Sequence, residues 1–165
     1  MYKENFERWM KHPNLDPELA KTLATMSEKE LEDAFYTNIA FGTAGMRGVL
    51  GPGTNRINVH TIAKANEGFA QYIKENGEEA CQRGVAIGYD NRHMSYEFAM
   101  VSANVLARYG IKSYVFTSLR PTPELSFAVR HFNCFGGIMI TASHNPKEYN
   151  GYKLYDEKGC QLVPA

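Results

Sequence analysis

Apolar positions along this chain follow two different periods. Ile62, Ala65, Phe69, Tyr72 and Ile73 recur at helical spacing, and Gly77 ends the run. Phe98, Val101, Val105, Leu106 and Tyr109 trace a second helical face, with Ser95 as its expected N-cap and Gly110 as its stop. Thr122 and Pro123 open a third helix, expected to run to about His131. Between these faces lie short continuous apolar runs of the buried-strand kind: residues 85–88, 111–116, 137–141 and 152–155. Lys158 and Gly159 then predict a turn before residues 160–163, a candidate antiparallel neighbour of the last strand.

Strands alternating with helices predict an α/β fold. The expected form is a three-layer domain with a four-stranded mixed, mostly parallel sheet between helices. A short helical arm, residues 1–37, precedes the domain, residues 38–165. Within the arm, Asp16 before Pro17 reads as an N-cap with proline at the first helical position. Ser27 and Glu30 read as a capping box opening a helix to Tyr36. Five glycines and Pro52 punctuate residues 41–58, which are therefore predicted to be a loop. The chain stops straight after its last strand without a closing helix, so it reads as part of a longer protein.

Composition narrows the function classes. Eighteen basic and eighteen acidic residues cancel, which disfavours general nucleic-acid binding and polybasic membrane attraction. The longest apolar-looking run, residues 134–142, is far short of the ~20 residues that span a bilayer. The opening MYKENFERWM carries charges where a signal peptide needs an apolar stretch. Cys81, Cys134 and Cys160 are odd in number and widely spaced, so a cytoplasmic chain without a disulfide frame is expected. The histidines show no zinc spacing, and no two aspartates are close in sequence. A serine-hydrolase elbow, GxSxG, is absent.

Three segments remain as candidates for chemistry. The strand at 137–141 runs into TASHNPKEYNGYK, which puts Ser143 at a tip beside His144 and Asn145. A serine there can expose its hydroxyl, a histidine can exchange protons near neutrality, and Lys153 could reach an anion. The same residues also read as a plain turn with an Asn-Pro breaker. In FGTAGMRG, glycines at every third position permit close backbone approach and Arg47 suits phosphate, although a simple connector has the same composition. In GYDNRH, Asp90 and Arg92 at a strand end read as a structural brace, and Arg120–Pro123 (RPTP) as a rigid turn into a helix.

Taken in order, FGTAGMRG, GYDNR, RPTP and TASHNPKEYNGYKLY resemble the first domain of the α-D-phosphohexomutase superfamily, the phosphoglucomutases and phosphomannomutases. The resemblance covers about residues 38–165, and the arm is similar to that of longer phosphoglucomutase-type members. It implies reversible movement of phosphate between C1 and C6 of a hexose through a bisphosphorylated sugar. Ser143 matches the phosphate-carrying serine, whose phosphate would be one Mg²⁺ ligand. His144 and Lys153 match acid/base or electrostatic neighbours, and Arg47 matches the arginine near the phosphoserine. Thr43 and Asn145 match substrate-binding positions.

Mg²⁺, glucose 1,6-bisphosphate as activator and a phosphosugar substrate are the implied ligands. A complete member has four domains, and the metal-binding, sugar-recognition and phosphate-binding loops lie beyond the first. The missing downstream domains are thus implied partners, and the fragment alone is expected to be inactive. A phosphomannomutase, a phosphopentomutase and a noncatalytic phosphosugar-binding module are the alternatives.

Overall fold

Two strands with every residue buried set the centre of the domain: β3 (Val85–Tyr89) and β5 (Gly136–Ile140). Side chains alternate across a strand, so each strand feeds two cores. Val85, Ile87 and Tyr89 with Ile138 and Ile140 pack against Ile62 and Phe69 of α4 (Val59–Glu75) and Phe98 and Leu106 of α6 (Ser95–Arg108). On the other face, Ala86 and Met139 meet Leu125, Ala128 and Val129 of α7 (Thr122–His131). The three expected layers are present in this computed structural model, which describes residues 2–43 and 45–163.

The sheet differs from the expectation in size and direction. It has six strands in the order β1-β2-β6-β5-β3-β4, not four. The additional ones are β1 (Phe41–Gly42) and β2 (Gly45–Val49), in the stretch predicted to be a loop; β4 is Ser113–Val115 and β6 is Tyr149–Tyr155. Parallel pairing holds only for β3 with β4 and with β5. The pairs β1–β2, β2–β6 and β5–β6 are antiparallel, so the sheet is not mostly parallel.

The physical reason is close approach. A Cβ at Gly151 would stand 2.6 Å from the Thr141 carbonyl oxygen and 2.7 Å from that of Met46. Glycine there lets β2 join the ladder, and of the five glycines that suggested a loop, Gly42, Gly45 and Gly48 belong to paired strands while Gly51 and Gly53 do lie in a loop. The predicted strand at 160–163 reduces to one bridge between Tyr155 and Gln161.

Helix boundaries show two further differences. Ser95 is the first residue of α6 rather than its N-cap; Met94 holds the cap with φ 65°, and the Ser95 hydroxyl donates to Asp90 Oδ1 at 2.8 Å. The short α5 (Glu78–Arg83) follows Gly77 directly and is too brief to show an apolar period.

The arm forms α1 (Tyr2–Met10), α2 (Pro17–Leu23) and α3 (Glu28–Phe35) with both expected caps in place. Leu23, Ala34 and Phe35 are its buried centre, with Phe6 and Trp9 edge-on to Phe35. It docks onto the start of α4, where the Asp16 backbone N–H donates to His60 Nε2 at 3.2 Å. Among the described residues, no helix is long and apolar enough to cross a membrane.

Topology marks one place for a ligand. From β3 the chain crosses by α6 to β4 on one side, then returns by α7 to β5 on the other. The parallel neighbours β3 and β5 therefore part at their carboxyl ends, and such a switch point opens a crevice in α/β sheets.

Candidate active site

Ser143 stands at that crevice, three residues beyond the end of β5. Its φ of 56° lies in the left-handed region that serine rarely occupies. Its N–H donates to Thr141 Oγ1 at 3.0 Å, and the Asn145 N–H donates to the Ala142 carbonyl at 3.1 Å. These bonds close a tight turn with Ser143 and His144 exposed at its crest. Ser143 Oγ lies 3.4 Å from His144 Nδ1, a long contact that a small rotation would tighten.

Arg92 braces the turn from below. Its Nη1 donates to the carbonyls of Pro146 at 2.8 Å and Tyr149 at 3.0 Å. Its Nη2 donates to those of Ser143 at 2.8 Å and Asn145 at 2.7 Å. Nε faces Asp90 Oδ2 at 3.5 Å. Asn150, fully buried, donates to the His93 carbonyl and to Ser95 Oγ, which joins the start of β6 to the same loop. An open cleft of about 320 Å³ lies here, lined by Asp90, Asn91, Arg92, His93, Ser143, Asn145 and Lys147.

Positive charge sits one strand over. Arg47 of β2 pairs with Gly151, and Lys153 of β6 pairs with Met139. Residues opposite one another or two apart in a ladder share a face, so Arg47 and Lys153 point to the same side of the sheet. Burial, together with the Arg47 charge, lowers the Lys153 pKa below its ordinary value. Arg47 Nη1 donates to Asn145 Oδ1 at 3.1 Å, while its buried Nε has no partner. Two neighbouring cations are suited to a phosphate group.

The structure thus brings Ser143, His144, Asn145, Arg47 and Lys153 to one end of the sheet or its adjoining face. It does not bring Thr43 there. Thr43 sits in the β1–β2 turn with its carbonyl taken by Gln161 Nε2, beyond the opposite end of β6 from Ser143. Sequence reading placed Arg92 as a brace but missed that it grips the serine turn, and it missed Asn150. The usable signal was that two strand-end loops flank one switch point.

A metal has little to hold it here. Among the described residues, no three His, Cys, Asp or Glu side chains cluster. The carboxylate lining the cleft is engaged, since Asp90 Oδ1 accepts from the Arg92 N–H and from Ser95. An oxygen on Ser143 fits as one donor of a hard cation, whose other ligands would come from outside these residues.

An α/β/α sandwich with a strained serine at its switch point defines the class, and comparisons with known proteins agree. Residues 38–165 match the family model "Phosphoglucomutase/phosphomannomutase, alpha/beta/alpha domain I", and the chain belongs to that family. A phosphoglucomutase of Staphylococcus epidermidis is 46% identical over 149 residues, covering 90% of this chain and 27% of the relative. One from Staphylococcus aureus is 45% identical over 156 residues, covering 94% and 28%. That second alignment exceeds the length of residues 38–165, so it extends into the helical arm. A crystal structure from Thermus thermophilus, provisionally called a phosphomannomutase, superposes with a TM-score of 0.68. Identity is 37%, over 76% of this chain and 27% of that one. The chain spans about 27% of the length of the curated relatives it matches.

Proposed function

We propose that this chain is the phosphate-carrying domain of a phosphoglucomutase, with Ser143 as the carrier. The observation that supports it most is Ser143 itself: an exposed hydroxyl on a strained, braced turn, to which Arg47 is tied through Asn145. Strain of this kind, about 1–3 kcal/mol per residue, persists where surrounding structure holds it.

In the forward step, a sugar hydroxyl attacks the phosphorus held on Ser143 Oγ. The P–Oγ bond breaks, a bisphosphorylated sugar forms and Oγ takes a proton. After the sugar turns over, Oγ attacks its other phosphate and regains the ester, releasing the isomeric monophosphate. His144 is adjacent to Oγ and can deliver and remove that proton. Arg47 and Lys153 neutralise the phosphoryl oxygens, which is most of what phosphoryl transfer requires. Asn145 orients Arg47 through its amide oxygen. Mg²⁺, held in part by the Ser143 phosphate, supplies further charge neutralisation when bound.

Glucose phosphate is preferred over mannose phosphate as the substrate because the curated relatives at 45–46% identity carry the name phosphoglucomutase. The test is a coupled assay of the full-length protein primed with glucose 1,6-bisphosphate. Glucose 1-phosphate should turn over faster than mannose 1-phosphate or ribose 1-phosphate, and Ser143→Ala should lose turnover with all three. Near-normal turnover by the alanine variant would overturn the proposal.

A further inference from the structure

The two arginines near Ser143 differ in how their donors are spent. A guanidinium has five N–H donors in a fixed planar fork. In Arg92, four reach carbonyl oxygens of the serine turn at 2.7–3.0 Å, and the fifth faces Asp90. In Arg47, Nε has no partner at all. Arg47 commits Nη1 to Asn145, whereas Arg92 commits its whole fork to the turn and to Asp90.

We infer that Arg92 is a positioning residue for the serine turn rather than a phosphate ligand. The carbonyls of residues 143, 145, 146 and 149 converge on one planar cation, which fixes the inner side of the turn. With those carbonyls turned inward, the Ser143 side chain is left on the outer side, where it is exposed. The left-handed φ of Ser143 is held because reverting it would swing its carbonyl off Nη2.

Arg92 is fixed in turn by Asp90, whose other oxygen accepts from the Arg92 N–H and the Ser95 hydroxyl. Ser95 accepts from Asn150, so the support reaches from β3 through α6 to β6. A lysine cannot replace this fork: three donors on a point charge cannot satisfy four carbonyls spread along a loop.

The test uses Arg92→Ala and Arg92→Lys in the full-length protein, with two readouts. Hydrogen exchange of residues 141–150 should accelerate at least tenfold in both variants, while exchange in β3 and β5 stays protected. This readout does not depend on the mutase proposal, so it still decides whether Arg92 holds the turn if the wild type lacks turnover. In the mutase assay, kcat should fall about 100-fold, the cost of a misplaced reacting group, with KM for glucose 1-phosphate little changed. Millimolar guanidinium should restore part of the kcat of Arg92→Ala and none of that of Arg92→Lys. Unaltered exchange in the turn would overturn the inference, as would a loss expressed mainly in KM. If Arg92→Ala does not fold, Arg92→Lys carries both readouts on its own.

Discussion

Ser143 occupies a backbone region that costs a non-glycine residue free energy, and the fold holds it there. That separates stability from function at one position. Ser143→Gly should raise the unfolding free energy by up to about 1 kcal/mol, because glycine enters φ > 0 without penalty. Ser143→Ala keeps the strain and should stay within about 0.5 kcal/mol of wild type. Both should lose phosphate transfer. Urea denaturation checks the order, and a glycine variant less stable than the alanine variant would show that the turn is not strained. The site was legible here to the extent that chemistry follows residue type. Ser143, His144 and Arg47 were read from the sequence, but φ at Ser143 and the spent donors of Arg92 were not, because both arise from tertiary contacts. Thr43 was assigned by resemblance alone; it sits in the β1–β2 turn, where its carbonyl accepts from Gln161.

At the scale of elements, the arm and the sheet are joined through His60. Its Nε2 accepts the Asp16 N–H, and Trp9 and His12 meet its ring edge-on at 5.3 and 5.4 Å. Burial, then the neighbouring His12, lower its pKa below the ordinary 6.5, while Asp16 pulls the other way. A histidine kept neutral in the fold but protonated when unfolded makes stability fall as pH drops below 6.5 and leaves it full above. Protonation would also set two donors against each other at the Asp16 contact. Trp9 is the only tryptophan, so its fluorescence should report arm release with a midpoint below pH 6.5, and His60→Gln should remove that transition. The same titration in the variant would contradict this role. The legible elements were α4 and α6 by their helical period, α7 by its Thr-Pro start, and β3 and β5 as continuous apolar runs. The ribbon β1–β2 was hidden because its glycines serve strand approach instead of a loop, and approach distance is invisible in one dimension.

For the whole molecule, the relevant fact is how little of the relatives' length this chain represents. The switch point presents an exposed serine beside an open cleft, with Arg47 and Lys153 on the adjoining face of the sheet. The chain alone should therefore give no mutase turnover, whereas the full-length protein should. Measurable turnover by residues 1–165 would place sugar recognition within this domain after all.

Whether Ser143 Oγ carries phosphate is tested most directly by peptide mapping with mass spectrometry. After incubation of the full-length protein with glucose 1,6-bisphosphate, phosphate should be found on the peptide containing Ser143, at that residue. It should leave when glucose 1-phosphate is added in excess. Phosphate on another residue, or none at all in a protein that still interconverts hexose phosphates, would contradict the carrier role.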